Sequence, residues 1–381
     1  GFIYFSGGEI LYSFRSLGHY LKHTDLYLLI VALCCSTYGG ILVYSATYSM
    51  EQSSKYLLTQ LISVLIGIVA FVITSLFDLE ELSRYWKFFF VANILFQLLL
   101  FTPLGFSEGG NHSWLRFGSF GIQPGEVGKV IFIFTFAAHL AQEFDRMNHW
   151  RTLLGLGLHL LIIFVAVVKP SSDVGVGLSY IFIFIVMLFG AGLSLKWFAG
   201  GLVVIVASIP FVWKVISGFR LDRILVLFDP AINETVAWQT EKSKVAIGAG
   251  QVFGSGFLQG SQMQHSNFPG KHTDFIFAVA GEEFGLVGCL LVLALLSLLI
   301  LRLFYVSYTA NTTFSSLMII GIAGMFLSQT FENILMCIGM FPVVGITLPL
   351  FSYGGSSVIT MYTALGIAAG VRMREKPNWL K

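Results

Sequence analysis

The feature that most constrains this chain is a series of long apolar stretches that carry almost no charge. A helix needs about 20 apolar residues to cross the hydrocarbon of a bilayer. Ten segments meet or approach that length, near 26–47, 56–77, 86–104, 126–145, 152–169, 174–194, 197–217, 275–305, 314–340 and 352–371. Lipid offers no hydrogen bonds, so each crossing segment must satisfy its backbone internally, which favours helices. Composition agrees. Hydrophobic residues make up 56% of the 381 and charged residues only 11%, against about 25% charged in a soluble domain. The expected fold class is therefore an all-α polytopic membrane protein with about ten transmembrane helices. The eighth and ninth segments exceed one crossing, which predicts tilt or a broken half-helix.

Lysine and arginine set the orientation, because short cytoplasmic loops collect them. With the N-terminus inside, the cytoplasmic side holds twelve: Arg15, Lys22, Arg84, Lys87, Arg146, Arg151, Lys196, Arg302, Arg372, Arg374, Lys376 and Lys381. The short loops opposite hold three: Lys55, Arg116 and Lys169. Both termini are thus expected in the cytoplasm, with outer loops at 105–125 and 218–274, the larger lying between spans seven and eight. The organisation reads as an amphipathic or flexible segment 1–24, a transmembrane domain 25–371 and a cytoplasmic tail 372–381. The N-terminus shows no cleavable signal pattern. A net charge of +2 gives no reason to expect nucleic acid. Cys34, Cys35, Cys289 and Cys337 fall in apolar stretches and read as buried thiols.

The polar interlude before the eighth span carries the chemistry. It contains Gln251-Val-Phe-Gly-Ser-Gly-Phe-Leu-Gln-Gly260 and ends in Lys271-His-Thr-Asp274, where a water-exposed loop becomes an apolar helix. Charge at a bilayer marks function by default, which singles out Asp274. Glu282 and Glu283 lie about two turns further on and read as helix-packing acids. Glu126 and Lys129 stand at i and i+3 on one helical face and can pair. They either fix helix packing or hold Lys129 toward an anionic headgroup. Lys169 and Asp173 flank Pro170-Ser-Ser, as a charged turn or as the rim of an outward cavity. Lys242 and Lys244 either contact phosphate or line a solvated face. Trp114, Phe117 and Phe120 in the first outer loop suit an interfacial layer. Glycines 248, 250, 254, 256 and 260 have the wrong spacing for a dinucleotide loop and suit close backbone packing at a re-entrant bend. His272 beside Asp274 lacks a third ligand, so no metal site is assigned. The break Ser352-Tyr-Gly-Gly-Ser-Ser357, which includes Ser356, lets a helix start tightly against its neighbours. No hydrolase elbow, kinase signature or zinc-protease motif is present.

As a set, these motifs resemble a known family. Asn111-His-Ser-Trp-Leu, Gln123-Pro-Gly-Glu-Val-Gly-Lys129, Glu241-Lys-Ser-Lys-Val-Ala-Ile-Gly-Ala-Gly250, Gly254-Ser-Gly-Phe-Leu-Gln-Gly260, His272-Thr-Asp-Phe-Ile-Phe-Ala-Val-Ala-Gly-Glu-Glu-Phe-Gly285 and Pro349-Leu-Phe-Ser-Tyr-Gly-Gly-Ser-Ser357 are similar to the SEDS proteins (shape, elongation, division and sporulation). Phe257-Leu-Gln-Gly-Ser-Gln262 looks more like the elongation type, RodA, than the division type, FtsW. The chain departs from the family pattern at Gly270, at Gly125 and in Lys169-Pro-Ser-Ser-Asp-Val-Gly175.

The resemblance implies an inverting peptidoglycan glycosyltransferase that polymerises lipid II at the outer face of the bacterial plasma membrane, during elongation and shape maintenance. It implies a class B penicillin-binding protein transpeptidase as partner. It places the family's essential acid on Asp274, its acid–lysine pair on Glu126 and Lys129, and its outer-loop tryptophan on Trp114. Lys242, Lys244, His272 and Ser356 join Glu126, Lys129 and Trp114 as candidates for substrate binding or structural support. No cofactor is required by these motifs, with a divalent cation such as Mg left open. The alternative is a lipid II flippase, since broken helices and intramembrane charge also suit transport.

Overall fold

A computed structural model describes Tyr20 and residues 24–50, 53–108, 111–117, 120–215, 219–265 and 268–374. The segment 1–24, apart from Tyr20 and Thr24, and most of the tail lie outside the described residues. A helix occupies each of the ten apolar segments: α1 Leu26–Thr47, α2 Ser53–Leu76, α3 Trp86–Leu98, α4 Pro124–Gln142, α5 Trp150–Ser171, α6 Val174–Gly190, α7 Leu195–Val215, then α9 Ile276–Thr309, α10 Thr313–Cys337 and α11 Gly355–Met373. The helix α8, Glu234–Ala249, lies within the outer loop and is capped by Asn233, whose side chain accepts from the Val236 N–H. Among the described residues, six helices are long and apolar enough to cross a membrane by length and composition.

The bundle is apolar outside, and its apolar core also encloses polar residues. On α2, Leu58, Leu61, Leu65, Val69 and Ile73 form an exposed stripe, while Gln60 and Ser63 are buried. Buried polar residues continue through Asn93, Gln97, Glu126, Lys129, Gln329, Glu332 and Asn333. An exposed apolar face with the polar side chains turned inward is expected when the solvent is hydrocarbon. Small residues let the helices approach, as packing rather than hydrophobicity drives association in lipid. A Cβ on Gly366 would fall 2.2 Å from Thr74 Oγ1, and one on Gly321 would fall 2.6 Å from Ile133. Cys35, Cys289 and Cys337 are buried, but Cys34 faces outward, because its turn of α1 points away from the bundle.

One feature departs from the sequence reading, and a second realises the broken helix that the length of the eighth segment allowed. The chain is not wholly α-helical. Residues 105–122, expected as a loop, hold an antiparallel sheet of three strands, β1 Gly105–Glu108, β2 Asn111–Phe117 and β3 Phe120–Ile122. Phe106 pairs with Trp114, and Arg116 with Gly121. The cause is a period-two pattern: Ser113 and Leu115 point inward and are buried, while Arg116 points outward over the Phe106 ring at 4.1 Å. Its start also shortens the third helix, which ends in a 3-10 turn at Phe101 before the extended Thr102 that precedes Pro103.

The second feature is the break in α9, at Gly285, with φ 63° and ψ −157°. The freed backbone groups pair with the glycine-rich segment. The Leu286 N–H donates to Gln251 C=O at 2.9 Å, and the Ser255 N–H donates to Glu282 C=O at 2.9 Å. Close approach requires glycine: a Cβ on Gly250 would lie 1.9 Å from Gly281 O, and one on Gly254 would lie 2.1 Å from Glu283 O. Irregular backbone at this depth is tolerated because protein covers it.

Candidate active site

Three turns converge around Asp274. The first is its own. Gly270, with φ +73°, accepts from the Thr273 N–H at 3.1 Å and the Phe275 N–H at 3.0 Å, which closes a tight turn. Phe275 packs edge-on against Phe268, which contacts Trp238 on α8. The second turn precedes α11. Tyr353 N–H donates to His272 C=O at 2.9 Å, and Ser352 Oγ–H donates to Thr273 C=O at 2.5 Å. Asn333 on α10 joins these turns: its amide donates to Asp274 C=O and to Ile346 C=O, both at 2.7 Å. The third turn, before α6, is held by Asp173, whose carboxylate accepts from the Val176 N–H at 3.1 Å. Gly175 in that helix sits beneath Val344.

The Asp274 side chain is half-buried and lies between two glycines. Cβ atoms on Gly270 or Gly345 would each fall 3.5 Å from its Oδ2. Burial pushes its carboxyl up to about 6; the Thr273 hydrogen bond opposes this, Asp173 adds to it and Arg223 opposes it. Asp173, itself buried, is also pushed up to about 6, chiefly by burial. The cation acting on both carboxyls is Arg223. Two acids in one setting, each near 6, give a group that can take a proton close to neutral pH.

The other sequence candidates are placed as follows. Lys129 Nζ lies 2.7 Å from Glu126 Oε1, and both are buried. Gln329 donates to the second Glu126 oxygen at 3.2 Å, and Ser179 donates to Glu332 at 3.0 Å. The pair is thus enclosed by α10 and α6. Ser356 accepts from the Gln123 N–H at 3.3 Å, which ties the start of α4 to α11. Trp114 is half-buried and leans over Gly121. Lys242 donates to Gln262 at 3.1 Å, while Lys244 is exposed with its stem over Gly339. His272 packs between the Tyr56 and Tyr353 rings, and burial lowers its imidazole to about 4, so it is neutral at pH 7.

Glu282 accepts from the Gln262 and Met263 N–H groups at 2.6 and 2.9 Å, and Ser45 Oγ–H donates to Glu283 at 2.5 Å. Both acids brace packing, as the sequence suggested. Sequence reasoning passed over Arg223 and Lys271. Lys271 is buried and donates to Met263 C=O at 2.8 Å, which anchors the turn carrying Asp274. Its place beside His272-Thr-Asp274 was the one available signal; Arg223 gave none beyond its charge.

Comparison with known proteins addresses the chain as a whole. A family model described as "Cell cycle protein", covering FtsW, RodA and SpoVE, matches residues 25–377. A probable peptidoglycan glycosyltransferase FtsW of Trichlorobacter lovleyi is 33% identical over 92% of this chain and 93% of its own. The peptidoglycan glycosyltransferase MrdB of Escherichia coli K12 is 30% identical over 93% and 95%. Relatives of both names match, so the elongation and division types are not separated by identity. A solved structure from work on polymerization and crosslinking by a peptidoglycan synthase complex shares the fold with TM-score 0.76 and 25% identity, over 92% of this chain and 97% of that one. Thermus thermophilus RodA has the same fold, with TM-score 0.67 and 24% identity over 93% and 98%. A family match along most of the chain, with relatives at this identity, shows that the chain belongs to the FtsW/RodA/SpoVE family of multi-pass membrane proteins.

Proposed function

We propose that this chain is a peptidoglycan glycosyltransferase that joins lipid II units into glycan strands, with Asp274 as the general base. The named relatives are peptidoglycan glycosyltransferases, and this chain carries the same activity. The observation that carries the site assignment is the Asp274 carboxylate, half-buried and pushed up to about 6 between two glycines that leave room beside it. All ten apolar helices cross the bilayer, the termini lie in the cytoplasm and the Asp274 turn faces outside, in keeping with the lysine and arginine distribution.

In the reaction, the acceptor sugar hydroxyl attacks the anomeric carbon of the donor. Asp274 takes the hydroxyl proton, the new glycosidic bond forms, and the bond to the lipid diphosphate breaks with its electron pair. One base suffices for such an inverting displacement. Glu282 and Glu283 are engaged in packing and do not form the close carboxyl pair of a retaining mechanism. Fixed groups such as Arg223 favour developing negative charge. A class B penicillin-binding protein is the partner in this reading, and the elongation type remains the subtype suggested by Phe257–Gln262.

The test is purified protein with lipid II, products resolved by size. Polymer from the chain alone, lost by about 10²–10⁴ in Asp274→Asn, is the expected result. Movement of lipid II across vesicles without polymer would select the flippase instead, and near-normal polymer from Asp274→Asn would remove that residue from the mechanism.

A further inference from the structure

The end of the bundle away from Asp274 holds a second site. The helix α4 starts beside the Asp274 layer and runs about 27 Å to Gln142, where the chain turns into α5. A cavity of about 550 Å³ opens there. Its rim carries Arg146, His149 and Arg151, and its wall carries His139, Glu143 and Thr152. That volume is in the range of a small-molecule site.

The charge inside it is unbalanced. Neither Arg146 nor Arg151 has a carboxylate partner among the described residues. Glu143 is turned onto Thr152, whose hydroxyl donates to it at 3.2 Å. The wall is stiff: Trp86 stacks on His139 at 4.8 Å and 16°, and the His139 and His159 Nδ1 atoms share a hydrogen bond of 3.1 Å. Two exposed guanidiniums beside a preformed cavity suit a phosphate, which arginine's planar fork can grip bidentately.

What lies next to the cavity decides where the phosphate comes from. Trp150 is exposed beside it, under the Arg151 guanidinium at 5.4 Å, as an interfacial anchor would be. Directly along α5 run Leu154, Leu158 and Leu161, exposed at 63%, 55% and 57%. Their i, i+4, i+7 spacing makes one apolar stripe that begins at the charged rim. We infer that this cavity binds the phosphate headgroup of an anionic membrane lipid, whose acyl chains lie along the α5 stripe, in the leaflet opposite the Asp274 site. Basic pockets between transmembrane helices recognise lipids in this way. The inference rests on the membrane assignment and not on the glycosyl-transfer reading.

The test uses the full chain, stripped of lipid in detergent, titrated with phosphatidylglycerol or phosphatidylcholine and weighed by native mass spectrometry. One phosphatidylglycerol should be retained in preference to phosphatidylcholine. Arg146→Gln with Arg151→Gln should weaken retention about thirtyfold. A second variant leaves both arginines in place. Gly155 also lines the cavity, and a Cβ there meets nothing within 4 Å, so Gly155→Met fills the cavity without straining the helix. It should weaken retention as well. Equal retention of the two lipids, or unchanged retention in both variants, overturns the inference. Displacement of the lipid by millimolar inorganic phosphate would assign the site to a free phosphate and also overturn it. Polymerisation read on the same samples separates the two claims: lipid retained without polymer sinks only the glycosyltransferase reading, and polymer without selective retention sinks only this one.

Discussion

Removing the Lys129 ammonium while keeping its bulk, as in Lys129→Met, tests whether α4 is locked in place by charge. Lys129 is fully enclosed, and its salt-bridge partner among the described residues, Glu126, is only 4% exposed. The variant would take the cation from Glu126 and leave it the amide of Gln329. Breaking a buried pair in this way costs about 3–5 kcal/mol, a large share of the roughly 5–15 kcal/mol that holds a typical domain together. The midpoint of thermal loss should fall on the order of 10 °C, read by heating detergent-solubilised protein and measuring the surviving monodisperse fraction. Glu126→Gln combined with Lys129→Met should recover most of that loss, since a glutamine can still accept from Gln329. Exchanging the two charges is a different matter. Lys129 also acts electrostatically on Glu332 and Asp173. A glutamate at 129 would face two further acids, so the exchange should recover little. If Lys129→Met shifts the midpoint by less than about 3 °C, or the double variant is no better than the worse single one, the pair does not fix packing and the reasoning fails.

Three further expectations follow from the site and its surroundings. Polymerisation, as kcat/KM against pH, should rise as pH passes upward through about 6, because the base works only once Asp274 has lost its proton. Asp173→Asn removes a like charge and should move that midpoint down, whereas Arg223→Gln should move it up; the midpoint belongs to the coupled pair, so a profile unmoved by either change would separate Asp173 and Arg223 from the base. Gly285→Ala should sharply lower folded yield, because φ is +63° and the new Cβ would lie 2.5 Å from Gly254 N, while Gly40→Ala, with nothing within 4 Å, should be silent; equal yields would mean the loop seam is dispensable. Adding a class B penicillin-binding protein should speed polymerisation, and equal rates with a stable complex demonstrated would count against activation.

The sequence by itself determined the helices. All ten apolar segments hold helices close to the bounds read, apart from the third, which ends early at Leu98, because apolar runs of that size suit a backbone that satisfies itself internally. It also singled out Asp274, because a carboxylate where polar loop meets apolar helix stands out against an 11% charged background. The pairing of Glu126 with Lys129 was legible too, since i, i+3 spacing is local. The three-stranded sheet was not, because glycines and aromatics masked its short alternation, and strands are fixed by partners across the sheet rather than by their own residues. The tertiary structure alone decided what surrounds each charge. Asp173 and Asp274 are about a hundred residues apart and come into one electrostatic setting only because the 344–346 turn and Asn333 bring their loops together. Arg223, rather than Lys242 or Lys244, is the cation that acts on both carboxyls. Coulomb energy depends on distance and burial, and neither is written in sequence separation.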